Sequence, residues 1–296
     1  MANKNWFIAT LAVVVLVIIF VSSPNCSFFV PEPAEEEVNV CLHLSDYGYS
    51  TISQLKELGV RWVRTDWLVT GDNSMSDYSQ RLQDNNINLL SIIDINTFNQ
   101  TPSLEQWEGN LSEIVLSEGF NNTDAVEIWN EPNSDAYIPP ETYYEMLKTG
   151  YATIKNYMDI PVVFAGVSPN NSSWQTYLDS VFAYGDTQDY FDYMGIHFYD
   201  DMQTNLETLH FVESLTIKPV WVTETGKPSM NNDEAGQAEY LSSVYFTFKS
   251  LVGKIFIYEF KDNQGLSPDK ENYFGLLTVN GTQKEAYWVF RDINGK

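Results

Sequence analysis

Eight short apolar runs recur along the chain, and the segments between them carry apolar residues at three- and four-residue spacing. This helical spacing is seen, for example, at Ile52, Leu55 and Leu58. Alternation of strand and helix predicts an α/β protein with a parallel sheet. Eight repeats predict closure into a (β/α)8 TIM barrel, which typically needs about 250 residues. The predicted strands are 39–44, 61–66, 88–94, 125–130, 161–167, 193–197, 219–224 and 254–260.

An open, doubly wound sheet is the alternative arrangement of the same elements. It would call for a Gly-rich phosphate loop after the first strand. The chain instead has His43-Leu44-Ser45-Asp46-Tyr47-Gly48 at that place. The sequence therefore favours the barrel.

Polar side chains stand at the ends of the predicted strands, where a barrel carries its chemistry. Glu131 and Glu224 each end a β-branched apolar run, and a Pro or Gly follows shortly after. Either glutamate alone is explained as a helix cap or as the partner of a surface Lys. Two carboxylates converging on one cleft are what retaining glycoside hydrolysis needs. The full set at strand ends is His43, Arg64, Asp66, Asp94, Asn96, Asn130, Glu131, His197, Tyr199, Glu224, Tyr258 and Glu259.

Two motifs resemble the fourth- and seventh-strand signatures of clan A glycoside hydrolases. They are Trp129-Asn130-Glu131-Pro132-Asn133 and Trp221-Val222-Thr223-Glu224-Thr225-Gly226. The whole stretch 38–296 resembles the (β/α)8 barrels of these enzymes, particularly family 39-like and family 5-like ones. This resemblance implies a hydrolase that acts on a glycoside.

The eighth strand departs from the common clan A pattern. Many of those enzymes place a Trp there, whereas this chain has Ile257-Tyr258-Glu259-Phe260-Lys261-Asp262. The segment is more similar to family 39-like exopolysaccharide hydrolases, which favours a β-linked polysaccharide cut internally. Glu259 and Asp262 are expected to bind further sugars or to face solvent.

The chemistry assigns roles to the two glutamates. Glu131 is expected to be the general acid/base, and Glu224 the nucleophile, which must stay ionised. The resemblance implies that Arg64 and Tyr199 lie beside that nucleophile and stabilise its charge. The alternative for Arg64 is a buried ion pair with Asp66 or Asp94.

Further residues are predicted to contact the substrate. Asn130 is expected to bind the sugar 2-hydroxyl, and the resemblance implies that His197 lines the first sugar subsite, although a lone His at a strand end is more often structural. His43 is also predicted to bind the substrate. Trp67, Trp174, Tyr137 and Tyr258 are candidates for stacking on sugar rings, while Trp129 and Trp221 are predicted to be core.

Charge narrows the classes of partner. Sixteen Lys+Arg against 40 Asp+Glu give a formal charge of −24, which disfavours binding to nucleic acid or to an anionic membrane face. We expect a polysaccharide or oligosaccharide substrate and a monomer. We expect no cofactor and no metal, because the chemistry needs only protons and carboxylates.

The N-terminus is predicted to lie outside the barrel. Residues 6–21 are uncharged, with Lys4 before them and several Glu after them, so 1–23 is interpreted as a signal peptide or a membrane anchor that directs the rest outward. Residues 24–37 form a Pro/Glu-rich linker, and 38–296 the hydrolase domain. An extracellular or cell-surface protein follows. Whether Cys26 and Cys41 pair stays open.

Two other functions fit the same sequence features. One is a non-catalytic glycan-binding barrel that kept the cleft; the presence of both glutamates, Arg64 and Asn130 speaks against it. The other is transglycosylation, which uses the same covalent intermediate with a sugar as acceptor.

Overall fold

The computed structural model describes residues 38–296, except 44–45, 69–73, 95–96, 98–100, 135–136, 170, 264 and 266–268. The predicted anchor and linker, Cys26 and Asn96 lie outside the described residues. Among the helices that the structure describes, none is long and apolar enough to cross a membrane.

Eight parallel strands close into a barrel in the order of the chain, each hydrogen-bonded to the next and β8 to β1. The predicted (β/α)8 fold is confirmed. The strands are β1 Asn39–Cys41, β2 Trp62–Asp66, β3 Asn88–Ile93, β4 Ala125–Ile128, β5 Val162–Phe164, β6 Tyr193–Phe198, β7 Val220–Thr225 and β8 Lys254–Ile257.

Helices follow the strands and cover the outside of the barrel. Apolar residues on one face of each helix pack on the sheet; in the first helix these are Ile52, Leu55 and Leu58, as predicted. The α-helices of the described part are α1 Tyr49–Leu58, α2 Ser74–Asp84, α3 Leu104–Val115, α4 Pro140–Tyr157, α5 Trp174–Phe182, α6 Met202–Leu215, α7 Glu234–Phe248 and α8 Glu285–Ile293.

Successive side chains of a strand point to opposite faces of the sheet, so the barrel has two separate hydrophobic cores. The smaller core fills the barrel interior and contains Cys41, Leu90, Ala125, Val163, Trp221 and Phe256. The larger core lies between sheet and helices and takes the alternate positions, such as Val126 and Val222. Trp129 and Trp221 are fully buried, as predicted for core residues.

Three strands, β1, β5 and β8, end three residues earlier than the predicted apolar runs. The residues just beyond them, including Leu42, Ala165, Val167 and Phe260, are nevertheless buried. The apolar runs therefore extend beyond the residues that pair in the sheet, because the turns at this end of the barrel pack against its core.

Candidate active site

A cleft of about 520 Å³ opens at the carboxyl end of the barrel. Seven of the residues predicted to be catalytic or to bind substrate line it, namely His43, Arg64, Asn130, Glu131, Tyr199, Glu224 and Tyr258. They come from the ends of β1, β2, β4, β6, β7 and β8. The fold thus brings together side chains that are far apart in the sequence.

Glu224 enters the cleft through an irregularity in β7. Strict alternation would turn it outward, because Trp221 faces the barrel interior and Val222 the helices. The register shifts between β6 and β7, so that Ile196 pairs with Val222 but His197 pairs with Glu224. Such a bulge redirects the side chain that follows it.

Both oxygens of Glu224 accept short hydrogen bonds. Arg64 Nη1 lies 2.6 Å from Oε1, and Tyr199 Oη donates to Oε2 at 2.6 Å. Burial would raise the pKa of Glu224, but the charges of His197 and Arg64, with the hydrogen bonds from Tyr199 and Arg64, outweigh it and lower the pKa. Glu224 is therefore held ionised.

Arg64 is itself held by a second carboxylate, Glu127. Its Nε donates to Glu127 Oε2 at 2.6 Å and its Nη2 to Glu127 Oε1 at 3.2 Å. Nη2 also donates to Asn130 Oδ1 at 2.9 Å, which fixes the orientation of the Asn130 amide. The buried partners of Arg64 are thus Glu127 and Glu224 rather than Asp66 or Asp94.

Glu127 was missed by the sequence analysis. It is fully buried in β4 and also accepts the backbone N–H of Gly166 at 2.9 Å. The signal was present, because a Glu in the middle of the apolar run Val126–Ile128 must have a buried cationic partner.

Glu131 stands on a strained turn after β4. Its φ is +43°, a left-handed conformation that costs a residue with a Cβ roughly 1–2 kcal/mol. Its backbone N–H donates to Gly166 O at 3.0 Å, which fixes the turn against β5. Its side chain is 25% exposed, against 10% for Glu224. Glu131 is thus the carboxyl group more open to the cleft.

His197 lies between the two glutamates and does not line the cleft. It is fully buried, with Nδ1 2.9 Å from Glu131 Oε1 and 3.6 Å from Glu224 Oε2. Burial would lower its pKa, but the two carboxylates outweigh burial and raise it. His197 thus lies beside both carboxylates and outside the lining of the cleft, and its role in the first sugar subsite stays a prediction.

One ligand atom each of Glu131, His197 and Glu224 lies within 4.8 Å of the others. Within the described ranges this is the group of side chains that could converge on a metal ion. The donors Arg64 and Tyr199 already bind both oxygens of Glu224, however. The donor set therefore suits two closely spaced carboxyl groups better than a cation.

Tyr258, His43 and Glu259 form one wall of the cleft. Tyr258 Oη lies 3.2 Å from His43 Nε2, and the same nitrogen contacts Glu259. The expectation that Glu259 and Asp262 bind sugars or face solvent is wrong. Glu259 is fully buried against His43, and Asp262 accepts from buried Lys284 at 2.6 Å.

The predicted stacking role of Trp67 is also wrong. Trp67 is 1% exposed, packs edge-on against Phe120 and donates to Ser117 Oγ at 3.2 Å. Of the other stacking candidates, Trp174 packs on Phe211 of α6. Tyr137 is 55% exposed but does not line the cleft, which leaves Tyr258 as the candidate that does.

Cys41 is a free thiol buried in the floor of the cleft. Its Sγ lies 3.5 Å from Thr223 O and 4.0 Å from Arg64 Nη1. Burial raises the pKa of this thiol well above its usual range. Cys41 is thus a neutral packing residue below Arg64.

The fold and the site define a TIM barrel whose cleft holds a close pair of glutamates, Glu131 and Glu224, an arrangement typical of a glycosidase. The family model described as "Glycosyl hydrolase catalytic core" matches residues 59–282. The chain belongs to this family of glycosyl hydrolase catalytic cores. No curated protein matches it.

Solved structures with the same fold include glycoside hydrolases. A family 39 enzyme from Bacteroides cellulosilyticus WH2 is 22% identical over 90% of this chain, with a TM-score of 0.69. A GH5_18 protein from Bifidobacterium longum subsp. infantis is 13% identical over 88% of this chain and 78% of its own, with a TM-score of 0.64.

A third similar structure is a family 128 endo-β-1,3-glucanase from Amycolatopsis mediterranei in complex with laminaripentaose. It is 16% identical over 87% of this chain and 99% of its own, with a TM-score of 0.55. The chain spans only 65% of the length of the family 39 enzyme. At these identities the likeness shows the fold alone.

Proposed function

We propose that the protein is a retaining glycoside hydrolase that cleaves β-linked poly- or oligosaccharides by double displacement. The observation that carries this proposal is the placement of Glu131 and Glu224, with an oxygen of each within 4.8 Å of the other. Retaining enzymes hold their carboxyl groups about 5–5.5 Å apart, and inverting enzymes about 6.5–9.5 Å. The close approach of the two glutamates supports attack by a carboxylate.

In the first step, Glu224 attacks the anomeric carbon while Glu131 protonates the departing glycosidic oxygen. A covalent glycosyl ester forms on Glu224 and the carbon–oxygen bond to the leaving sugar breaks. Arg64 and Tyr199 hold Glu224 ionised and oriented before the attack. His197 donates from Nδ1 to Glu131 Oε1, which leaves the other oxygen of Glu131 to carry the proton.

In the second step, Glu131 removes a proton from water, and the water attacks the same carbon from the face that the leaving group vacated. The ester bond breaks, and Glu224 returns as a carboxylate. Two inversions at one carbon give the retained anomer. Asn130, with its oxygen held by Arg64, offers its amide N–H to the sugar 2-hydroxyl in both steps.

The shape of the site supports internal cleavage. A second cavity of about 420 Å³ adjoins the first, and Tyr199, Lys270 and Phe274 line both. The combined groove extends beyond the glutamates, as binding of several sugar rings requires.

We further propose action outside the cell, supported by the apolar segment 6–21 and the acidic, Pro-containing stretch after it. The chemistry needs no metal, so chelators should leave turnover unchanged.

The configuration of the first product tests the proposal. The protein would be screened against β-glucans, mannans, galactans, xylans and bacterial exopolysaccharides, and the fresh reducing end followed by proton NMR. Retained β-configuration before mutarotation supports the mechanism. An inverted product would rule out double displacement, and absence of new reducing ends with any glycan would favour a binding protein.

A further inference from the structure

A second carboxylate–histidine pair lies in the wall of the cleft, and the glutamate mechanism does not use it. His43 follows β1 and Glu259 follows β8, two strands that neighbour each other where the barrel closes. Glu259 is fully buried, whereas the His43 side chain is 37% exposed and lines the cleft. His43 Nε2 contacts Glu259 Oε2 directly.

The neighbouring side chains fix this pair in one orientation. Asn263 Nδ2 lies 3.2 and 3.3 Å from the two oxygens of Glu259 and 3.1 Å from His43 Nε2. Tyr258 Oη lies 3.2 Å from the same nitrogen. Nε2 of His43 is therefore committed to the protein. Its Nδ1 has no hydrogen-bond partner in the part of the chain that the structure describes, and the ring borders open space.

This wall stands next to the nucleophile. Tyr258 packs against Phe274 and Tyr199, with ring centroids 5.3 and 6.5 Å apart, and Tyr199 donates to Glu224. A sugar placed for attack by Glu224 would bring its hydroxyl groups towards Tyr258 and His43. Hydroxyl groups both donate and accept, so they suit an imidazole nitrogen and a phenol side by side.

We propose that Glu259 is a positioning residue, which fixes His43 so that its second ring nitrogen and the Tyr258 hydroxyl bind hydroxyl groups of the sugar beside Glu224. This inference rests on the proposed function, because it assumes a glycan in the cleft. Glu259 itself does not touch the substrate. It acts through His43.

Proton binding to the pair changes what His43 offers to the sugar. Burial raises the pKa of Glu259 to about 7. Burial would lower the pKa of His43, but the hydrogen bond and charge of Glu259 outweigh it and raise the pKa. Among the described residues, Asp46 and Asp66 also act electrostatically on His43, and Asp46 and Asp262 on Glu259; all three are acidic.

Both pKa values are raised, so the pair takes up a proton at a higher pH than an isolated carboxyl and imidazole would. Above this range neutral His43 donates from Nε2 to Glu259, and Nδ1 is an acceptor. Below it the imidazolium also donates from Nδ1. Sugar binding should therefore change with pH separately from the ionisations of Glu131 and Glu224.

A histidine titration tests the link between Glu259 and His43 without any substrate. The chain has three His, so the full-length protein labelled with ¹⁵N-histidine should give signals from three imidazole rings, each with two nitrogens. The His43 midpoint should fall in Glu259→Gln and stay in place in Glu239→Gln, which removes the same charge from an exposed position on α7. An unchanged His43 midpoint in Glu259→Gln would overturn the proposal.

Kinetics test the positioning role, with laminaripentaose, cellopentaose and mannopentaose as probes. Glu259→Gln should raise KM about tenfold, the loss of roughly one good hydrogen bond, with kcat changed less. If Glu259 acts through His43, the double variant His43→Ala/Glu259→Gln should be no worse than His43→Ala alone. Multiplying effects would indicate a merely structural role and overturn the proposal.

Two further outcomes separate this inference from the proposed function. If Glu259→Gln does not fold, His43→Gln at the half-exposed partner should raise KM by a similar factor, and an unchanged KM there would overturn the proposal. If the wild-type protein turns over none of the glycans while Glu259→Gln still lowers the His43 midpoint, the proposed function fails and the coupling of the pair stands.

Discussion

Arg64 donates two hydrogen bonds to Glu127, from Nε to Oε2 at 2.6 Å and from Nη2 to Oε1 at 3.2 Å. Both lie on the side of the guanidinium away from Glu224. The positive charge of Arg64 therefore forms ion pairs with two buried carboxylates, Glu127 and Glu224. Glu127 also accepts the N–H of Gly166, whose carbonyl accepts the N–H of Glu131. A continuous hydrogen-bonded path thus joins Glu224 to Glu131.

Removing Glu127 should be strongly destabilising. Glu127→Ala removes the hydrogen bonds that Nε and Nη2 of the buried Arg64 make to Glu127, and breaking a buried ion pair costs about 3–5 kcal/mol. Urea denaturation would measure the loss in free energy of unfolding. The control is Glu141→Ala on the exposed start of α4, expected within about 0.5 kcal/mol of wild type. Equal stability of the two variants would contradict a structural role for the Arg64–Glu127 pair.

The azide products of two variants should distinguish the roles of Glu131 and Glu224. With an activated aryl β-glycoside, Glu224→Ala should lose nearly all turnover, and azide should give an α-glycosyl azide. Glu131→Ala should still form the intermediate, because a good leaving group needs little protonation. It should then stall, and azide should release a β-glycosyl azide. Reversed configurations would mean that the roles are swapped.

Tyr199→Phe should move the acid limb of the pH profile upward. Glu224 has a lowered folded-state pKa, so its ionised form contributes stability above the usual carboxyl pKa, and this is lost as pH falls through the folded-state value. Deleting the Tyr199 hydroxyl removes one donor to Oε2, so the pKa of Glu224 should rise. The acid limb of kcat/KM measures this, and an unmoved limb would show that Tyr199 does not stabilise the carboxylate.

Trp67 and Tyr258 should respond to truncation in opposite ways. Trp67→Ala should lower the free energy of unfolding by about 3–5 kcal/mol, because it empties a buried site, and should leave KM near wild type in the folded fraction. Tyr258→Ala should raise KM, since Tyr258 lines the cleft. Thermal unfolding and steady-state kinetics on both variants would check this. A larger KM effect for Trp67→Ala would place that ring at the sugar after all.

The fragment 38–296 should fold without the first 37 residues. β1 begins at Asn39 and closes the barrel on β8, so the strand pairing is complete within the fragment. Circular dichroism and a cooperative thermal transition would establish folding. A fragment without fixed tertiary structure, beside a well-folded full-length chain in detergent, would show that the N-terminal segment is required.

The order of elements and the two catalytic candidates could be predicted from the sequence because both are local signals. β-branched runs alternate with helical patterns, and a glutamate ends the runs that became β4 and β7. The placement of Arg64 could also be predicted, since the carboxyl ends of parallel strands meet at one face. The predicted ends of β1, β5 and β8 lie beyond the observed ones, because the chain stays buried after its pairing with the neighbouring strands stops.

Contacts between distant strands were decided only by the tertiary structure. The register shift that turns Glu224 inward depends on how β6 and β7 pair, and no local pattern encodes it. His197 and Trp67 stand at strand ends like true cleft residues, but packing buries both. The partnerships of Glu127 with Arg64 and of Glu259 with His43 join residues 63 and more than 200 positions apart. Sequence thus determined which side chains reach one end of the barrel, whereas three-dimensional packing determined which of them face the substrate and which hold the others in place.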